Sequence, residues 1–406
     1  MAKTGISSTG KKFEVLIFAG SINAYSIARA FNEAYGMSVT VYSKKDDYIC
    51  ADSEMIDFNV RGNLDDPYTF YKIICDFASG KGHEIIVLAC KDEYVQLLSR
   101  VKSDLPANVI VPVNSDTLTD EMMDKEGFYE ICKNFEIPYP KTFIHKPDMY
   151  YDTLPPFDGP YVVKSARPAE YRLHPFEGQK RAYYAKDVRE AADVLEKIYA
   201  SGYDDHVLIQ EYIPGPDSNM RILNFYSDRD TRVKMMCMGH VLLEERTTEG
   251  AGNHAVIVTE TDPEFMRKSR DMLNEIHYTG FSNIDLKLDS RDGVFKALDF
   301  NLRPGRSNYY ITASGVNIAK LLVEDRIDER DNPLVVVTDE HLWLATEERI
   351  ATQYVNPDYL HKVQILISEG KCANPLNYGK DAKRRSIKKY YADSRNNFKR
   401  YYKTYE

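Results

Sequence analysis

The stretch from Asn283 to Tyr310, NIDLKLDSRDGVFKALDFNLRPGRSNYY, decides how the rest of the chain is interpreted. Two of its runs, Ile284 to Asp289 and Val294 to Leu302, alternate between apolar and polar residues in the manner of β-strands. Between them lie the turn-forming residues Ser290 to Gly293. The pattern therefore predicts a β-hairpin.

The second strand of this hairpin carries its polar residues on one face. Because strand side chains alternate, Asp299, Asn301 and Arg303 share that face. The opposite, packed face receives Leu298, Phe300 and Leu302. A three-residue loop with Gly293 in a left-handed bulge position would set Asp285 directly opposite Asp299. Like charges so placed repel each other, and two carboxylates with an amide oxygen suit Mg²⁺, so we predict a magnesium site at Asp285, Asp299 and Asn301.

An exposed hairpin with ordinary surface charge is the alternative interpretation of this stretch. Arg303, Gly305 and Arg306 follow the predicted metal ligands directly. Cations beside a carboxylate-held metal are what phosphoryl transfer requires. This neighbourhood favours a phosphoryl-transfer site over a plain surface hairpin.

An acid on one strand, followed by acid-x-Asn-x-Arg on the next, resembles the signature of the ATP-grasp superfamily of carboxylate–amine ligases. The resemblance implies that Asp285, Asp299 and Asn301 bind Mg²⁺. It also implies that Arg303 contacts a phosphate or an acyl phosphate, and that ATP is the nucleotide. The expected fold is α/β, an ATP-grasp fold preceded by a Rossmann-like domain.

Length and composition restrict the class of protein. A chain of 406 residues is too long for one core and predicts two or three domains. Its net charge of −9 argues against a nucleic acid as the main partner. No apolar run reaches the roughly 18 residues of a membrane span and no signal peptide is evident, so we expect a cytoplasmic protein. The scattered cysteines form no C-x-x-C pair, which argues against a zinc site or a disulfide framework.

The N-terminal region predicts a layered α/β domain. Phe13 to Gly20 has the pattern of a buried parallel strand, and Ser21 to Tyr35 that of the helix after it. Further strand-like runs lie at Val39–Ser43, Glu84–Ala89 and Val109–Val113. The absence of G-x-G-x-x-G after the first strand argues against a dinucleotide cofactor. At the helix start, Ser21 and Asn23 either bind an anion such as a substrate carboxylate or cap the helix.

A change of pattern near residue 118 marks the next domain. Asp120 to Phe135 predicts one amphipathic helix, and we expect a first domain at 1–117, an ATP-grasp domain of two subdomains at 118–326 and a C-terminal segment at 327–406. The ATP-grasp resemblance then implies nucleotide contacts in chain order. The phosphate contacts are Lys125, Lys164 and, in the flap, Lys180. The adenine contacts are Glu211, Tyr212 and Ile213, and the ribose contact is Asp217.

A narrower resemblance covers the chain from about Gly20 to Arg326. It rests on Ala30–Gly36, Pro138–Thr142, Phe176–Gly178, Asp217–Arg221, Met235–His240, Tyr278–Phe281, Asn301–Arg303 and Gly305–Ser307. These segments resemble the D-aspartate ligases of Gram-positive bacteria, which phosphorylate the β-carboxylate of D-aspartate and join it to the side-chain amine of lysine in a peptidoglycan precursor. The resemblance implies an ATP- and Mg²⁺-dependent amide ligase of cell-wall synthesis, with Lys164 and Arg303 offsetting charge during transfer.

The substrate contacts are inferred from chemistry. Arg306 and Ser307 lie beside the metal residues and can bind a carboxylate, and Arg221 and His240 end apolar strands with polar groups. Two alternatives stay open. In one, the fold is the same and the acid is D-glutamate, an L-amino acid or a small peptide; in the other, the protein is a nucleotide-binding regulator without turnover.

The C-terminal tail mixes basic and aromatic residues. Residues Trp343 to Lys371 predict further helix, and the tail from Lys380 to Lys403 interleaves lysine and arginine with tyrosine and phenylalanine. A solvated, partly helical tail is one interpretation. Peripheral contact with an anionic membrane surface, to which each basic residue would add about 1 kcal/mol, is the other.

Overall fold

A parallel sheet with helices on both faces forms the N-terminal domain. The computed structural model describes residues 4–153, 155–246 and 252–405. The strands of this domain are β1 (Gly5–Ile6), β2 (Lys12–Phe18), β3 (Val39–Ser43), β4 (Ile56–Val60), β5 (Glu84–Ala89) and β6 (Val109–Ile110). Its helices are α1 (Ser21–Tyr35), α2 (Pro67–Ala78) and α3 (Asp92–Val101). The parallel order is β4-β3-β2-β5-β6, and β1 pairs with β2 in antiparallel fashion.

Helix α1 has the bounds predicted from the sequence, because its end is determined locally. Gly36 follows it at φ 62° and donates its N–H to Asn32 O at 2.8 Å, which closes the last turn. α1 covers one face of the sheet, and α2 and α3 cover the other. Burial on both faces explains the continuous apolar runs of β2 and β5.

A small antiparallel sheet follows. The elements of this subdomain are α4 (Asp116–Met123), α5 (Lys125–Asn134), β7 (Thr142–His145), β8 (Tyr161–Ser165), α6 (Pro168–Tyr171), β9 (Tyr183–Ala185), α7 (Val188–Ala200) and β10 (Val207–Glu211). The strand order is β7-β10-β8-β9. The single helix predicted from Asp120 to Phe135 is wrong. Asp124 leaves the helical conformation and its side chain accepts a hydrogen bond from Glu126 N, so it ends α4 and caps α5.

A large, mainly antiparallel sheet forms the rest of the molecule. Its first elements are β11 (Met220–Ser227), β12 (Val233–Glu244), β13 (His254–Glu260), α8 (Pro263–Glu275), β14 (Gly280–Asp289), β15 (Val294–Asn301), α9 (Tyr309–Ala313) and α10 (Ile318–Arg326). The C-terminal elements are β16 (Val335–Val336), β17 (Leu342–Leu344), α11 (Glu348–Tyr354), α12 (Pro357–Ser368), β18 (Cys372–Ala373) and α13 (Arg385–Tyr405). The main strand order is β15-β14-β11-β12-β13-β17-β18, and β16 pairs with β12.

The C-terminal segment is joined to this sheet through β16, β17 and β18. The prediction of helix from Trp343 is wrong at its start, because Trp343 lies in β17 and is fully buried. The tail is not a solvated extension either. In α13, Ile387 and Phe398 are buried against the body of the protein. Within the described ranges, no helix has both the length and the apolar character needed to cross a lipid bilayer.

Candidate active site

The hairpin of β14 and β15 brings two carboxylates face to face. Asp285 is paired with Asp299, and Asn283 with Asn301, which confirms the predicted opposition. The loop that was expected to cause it is different, because four residues separate the two strands and Asp289 pairs with Val294. The register instead shifts by one residue at Leu298, where a bulge is inserted between the turn and the carboxylates.

The bulge also changes the packed face of β15. Ala297 pairs with Leu286 and is fully buried, whereas Leu298 is only partly buried. Phe300 and Leu302 are buried as predicted. The carbonyl of Leu298 accepts a hydrogen bond from the Tyr129 hydroxyl at 2.9 Å, so the extra residue is tied to α5.

The two carboxylates lie in different electrostatic surroundings. Burial and the neighbouring Asp299 raise the pKa of Asp285 to about 6. Burial would also raise the pKa of Asp299, but Lys125 and Lys164 outweigh it and the pKa is lowered. Lys125 Nζ lies 2.6 Å from Asp299 Oδ1, whereas Asp285 Oδ2 accepts a hydrogen bond from Asn301 Nδ2 at 3.1 Å. Asp285 therefore has no ammonium partner among these contacts.

This donor set fits Mg²⁺. The side chains of Asp285, Asp299 and Asn301 lie on one face of the hairpin, and a cation between the two carboxylates would relieve the repulsion that helps to raise the pKa of Asp285. Across the part of the chain that is described, no cluster of three or more His, Cys, Asp or Glu side chains could hold a metal. A metal here would depend on few protein ligands and would complete its shell with water and phosphate oxygens.

Two of the three predicted phosphate lysines lie at the carboxylates. Lys125 is the first residue of α5 and is buried, and Lys164 is in the middle of the small sheet on β8. Burial and the neighbouring Lys125 lower the pKa of Lys164 to about 7, against the opposing effect of Asp299. Lys180 is exposed, and its backbone N–H donates to the Tyr183 hydroxyl. The next residue, Arg181, contributes to the lowered pKa of Asp299.

The predicted adenine contacts lie where β10 ends. The Glu211 side chain is bound within the protein, since Oε1 accepts from Lys141 N and Oε2 from Arg291 Nη2, both at 2.9 Å. Tyr212 N donates to Pro160 O at 2.9 Å, and Ile213 is buried. The Glu211 carboxylate therefore supports the strand exit, and it is the backbone of this segment that can contact a base.

The predicted ribose contact, Asp217, is held in an ion pair with Arg246 and accepts a hydrogen bond from Glu244 N at 3.0 Å. Lys287 lies nearby, with Nζ 5.5 Å from the centroid of the Tyr212 ring. The sequence interpretation missed Lys287, although strand alternation places it on the same face as Asp285. Burial and Asp217 raise the pKa of Glu244 to about 7.

Arg303 lies at the end of the hairpin and is held from two sides. Its Nη2 donates to Asn301 Oδ1 at 3.0 Å, and its Nε lies 3.0 Å from Asp92 Oδ1 in the N-terminal domain. Asn283 Nδ2 donates to Arg303 O at 3.0 Å, and Asn283 Oδ1 accepts from Asn301 Nδ2 at 3.0 Å. Neither Asp92 nor Asn283 was found from the sequence. Asn283 could have been, since it is two residues before Asp285.

Arg306 and Ser307 lie in the segment after the hairpin. Arg306 Nη2 donates to Glu245 Oε1 at 2.6 Å and to the Tyr390 hydroxyl at 3.0 Å. Ser307 is 2% exposed, and its hydroxyl has no hydrogen-bond partner in the described part of the structure. Arg306 therefore connects the segment after the hairpin to helix α13.

Arg221 and His240 lie elsewhere, which corrects their prediction as substrate contacts. Ile222 pairs with Asp285, so Arg221 and its cross-strand partner His240 lie on the opposite face of the sheet from the carboxylates. Arg221 is ion-paired with Glu260. Burial and Arg221 lower the pKa of His240 to about 4. Both side chains are used for structural contacts.

Ser21 and Asn23 have separate surroundings at the start of α1. The cap position is Gly20, without a side-chain cap, so neither residue caps the helix as one interpretation had it. Ser21 is exposed and has φ 65°. Asn23 Nδ2 donates to Cys90 O at 3.1 Å and to Pro304 O at 3.2 Å, so it joins the N-terminal domain to the segment after Arg303.

Comparison with known sequences identifies related enzymes. No family model matches the chain. The chain is 33% identical over 400 residues to the D-aspartate ligase of Enterococcus faecium (strain Aus0004), a match that covers 95% of this chain and 94% of that protein. It is also 24% identical over 177 residues to a D-alanine–D-alanine ligase of Rickettsia bellii (strain RML369-C), covering 42% of this chain and 52% of the relative.

Solved structures share the fold at low sequence identity. The biotin carboxylase domain of Hydrogenobacter thermophilus 2-oxoglutarate carboxylase, solved with MgADP, ADP and bicarbonate, has a TM-score of 0.61 and 15% identity, over 81% of this chain and 73% of that one. An L-amino acid ligase from Bacillus licheniformis has a TM-score of 0.55 and 14% identity, over 77% and 74%. These similarities confirm the predicted fold class.

Proposed function

Because the chain belongs to the D-aspartate ligase family, we propose that it activates the β-carboxylate of D-aspartate with ATP and joins it to the side-chain amine of lysine in a peptidoglycan precursor. The general reaction, ATP-dependent ligation of a carboxylate to an amine on an ATP-grasp fold, follows from that membership. The D-aspartate and the precursor are the proposed part. The observation that carries the proposal is the pair of opposed carboxylates, Asp285 and Asp299. The positive charges of Lys125, Lys164 and Arg303 lie near them.

The arrangement fits transfer of the γ-phosphoryl group to a carboxylate. A carboxylate oxygen attacks the γ-phosphorus, ADP leaves, and an acyl phosphate forms. Lys125 and Lys164 offer positive charge beside Asp299, and Arg303 offers it on the other side of Asn301. Mg²⁺, which Asp285, Asp299 and Asn301 would hold, supplies charge neutralisation for the phosphates when bound.

The second step is attack by the amine. The lysine amine attacks the acyl carbon, inorganic phosphate leaves, and the nitrogen loses a proton as the amide forms. The flap from Ala166 to Lys180 lies between β8 and β9, where a lid would exclude water from the acyl phosphate. For the substrate, Arg306 and Ser307 remain the proposed carboxylate contacts, because they lie a few residues after Arg303 and the Ser307 hydroxyl is buried without a partner in the described structure.

The experiment that tests this function is product analysis. Purified protein is incubated with ATP, Mg²⁺, a mixture of D- and L-amino acids and a lysine-bearing muropeptide, and the products are identified by mass spectrometry. We expect ADP release that requires both D-aspartate and the muropeptide. A product that contains D-glutamate, an L-amino acid or a small peptide would support the ligase activity but identify a different acid substrate. ATP binding without ADP formation on any acid would favour the regulator instead.

The proposal also concerns location. An enzyme that consumes ATP is expected in the cytoplasm, and its acceptor is a cell-wall precursor. We further propose that α13 makes peripheral contact with an anionic membrane surface, since Lys388, Lys389, Lys399 and Lys403 are exposed. The aromatic residues support this contact less than expected. Phe398 is buried, and its ring stacks on that of Tyr354 with 5.6 Å between the ring centroids.

The membrane contact is tested by sedimentation with vesicles containing anionic lipid. Changing the four exposed lysines of α13 to glutamate leaves the buried face of the helix intact. We expect binding to fall steeply in this variant and with rising salt. Equal binding of the variant and the unmodified protein would refute the membrane contact and leave the ligase proposal unaffected.

A further inference from the structure

Asp92, a residue of the N-terminal domain, lies against the arginine of the transfer site. Asp92 Oδ1 is 3.0 Å from Arg303 Nε, and Asp92 Oδ2 accepts a hydrogen bond from Arg303 Nη2 at 3.4 Å. The two residues are 211 positions apart in the sequence. The N-terminal domain therefore reaches the reaction centre through a charged side chain.

The backbone around Arg303 does not fix the direction of its guanidinium. β15 ends at Asn301, so Arg303 lies in an irregular segment beyond the hairpin. Its side chain is 19% exposed. A long arginine side chain has many rotamers, and its direction is determined by the groups that it contacts. Those groups are Asn301 Oδ1 on the metal side and the Asp92 carboxylate on the other.

Asp92 does not cap its own helix. It is the first residue of α3, and the cap position before it, Lys91, makes no side-chain cap hydrogen bond. By contrast, Asp66, Asp187 and Asp262 each cap the helix that follows them. Among the described residues, the hydrogen bond recorded for the Asp92 carboxylate is the one from Arg303. The carboxylate thus serves a contact between domains.

We propose that Asp92 is a positioning residue for phosphoryl transfer, which holds the Arg303 guanidinium toward the phosphoryl group. This inference rests on the proposed function, because Arg303 acts on a phosphoryl group only in such a reaction. Asp92 itself touches no reacting atom. Its loss would leave the positive charge of Arg303 in place but would free the guanidinium to turn away from the site.

The chain offers a matched control in the next residue. Asp92 and Glu93 are both acids in the first turn of α3, so each contributes similarly to the helix dipole and to the net charge. Of the two, Asp92 is the one in contact with Arg303. Asp92→Asn and Glu93→Gln therefore remove the same charge from the same helix end, and a difference between them isolates the contact with Arg303.

The experiment measures kcat and KM for ATP in the unmodified protein, Asp92→Asn, Glu93→Gln, Arg303→Ala and the Asp92→Asn/Arg303→Ala double variant. We expect Asp92→Asn to lower kcat by about 10- to 100-fold, as loss of an orienting contact does at comparable sites, with a much smaller change in KM for ATP. Glu93→Gln should match the unmodified protein. In the Arg303→Ala background, Asp92→Asn should cost nothing further.

Three results would overturn the inference. They are an equal kcat in Asp92→Asn and Glu93→Gln, a full additional loss in the double variant, or a fall in the thermal midpoint of Asp92→Asn with unchanged kcat, which would make the contact structural. Failure of the proposed function looks different, because the unmodified protein itself would then form no product from ATP, D-aspartate and the muropeptide. In that case the inference fails with it.

Discussion

Two polar clusters lie on opposite faces of the large sheet, and they differ in how their charges are balanced. On one face, Asp285 and Asp299 oppose each other, and the pKa of Asp285 is raised to about 6 by burial and by Asp299. On the other face, Arg221 is paired with Glu260 and donates to Ser218 O at 2.8 Å. In the first cluster Lys125 balances Asp299, but the contact described for Asp285 is with the amide of Asn301 and not with an ammonium group. The second cluster is complete, because Arg221 and Glu260 balance each other. A carboxylate without a balancing charge can bind a cation, whereas a balanced pair contributes to the scaffold.

The largest effect that would test this comparison is expected from Asp299→Ala. The change removes a carboxylate from the metal site and the partner of Lys125. We expect phosphate release to fall by on the order of a thousandfold, as after loss of a charge-stabilising group at a reaction centre. Release is measured with ATP, D-aspartate and the muropeptide. Near-normal turnover would show that the opposed carboxylates are not the site.

A smaller effect is expected from pH, through the two shifted groups beside the nucleotide. The pKa of Asp285 is about 6, so below that pH it takes up a proton and its contribution to binding MgATP is lost. The pKa of Lys164 is about 7, so above that pH it loses the charge that attracts phosphate. MgATP affinity should therefore decline on both sides of a maximum between these values.

Titration calorimetry from pH 5 to 9 measures this profile. Lys164→Met should weaken binding below about pH 7, where Lys164 is charged, and should remove the decline on the alkaline side, where the variant and the unmodified protein converge. If the MgATP affinity of Lys164→Met still declined at alkaline pH as in the unmodified protein, that decline would be due to a group other than Lys164.

The smallest effect on the reaction is expected from Arg221→Met, on the complete face. The change leaves Glu260 without its partner, and we expect a loss of about 1–3 kcal/mol in the free energy of unfolding. Because Arg221 lies on the other side of the sheet, kcat should stay the same. Denaturant unfolding and the phosphate-release assay measure the two quantities. A large fall in kcat with normal stability would contradict this expectation and support Arg221 as a substrate contact.

Local patterns in the sequence predicted the parts of the molecule that depend on near neighbours. The bounds of α1 followed from its apolar pattern, and strand alternation placed Asp299 and Asn301 on one face. The pairing of Asp285 with Asp299 was predicted correctly but from a three-residue loop, whereas the bulge at Leu298 sets the register. The bulge at Leu298 could not be foreseen, because it depends on contacts such as the one from Tyr129. A register set by a distant side chain leaves no periodic signal in the strand itself.

Contacts between distant segments account for the rest. The face on which Arg221 lies is determined by the pairing of β11 with β14, and alternation within one strand cannot show which face is buried by which partner. The same holds for Asp92, which meets Arg303 across domains, and for Tyr390, which brings the tail to Arg306. In α13 the basic and aromatic composition was evident, but the docking of its apolar side was not.

Because of the bulge at Leu298, the pairing of Asp285 with Asp299 should tolerate the loss of one residue from β15 but not the gain of one. If one residue were lost between the turn and Asp299, the ladder could become regular and the two carboxylates would still be opposite each other. If one were gained, Asp299 and Asn301 would turn toward the packed face. Homologous chains should accordingly shorten this strand by a residue more readily than they lengthen it.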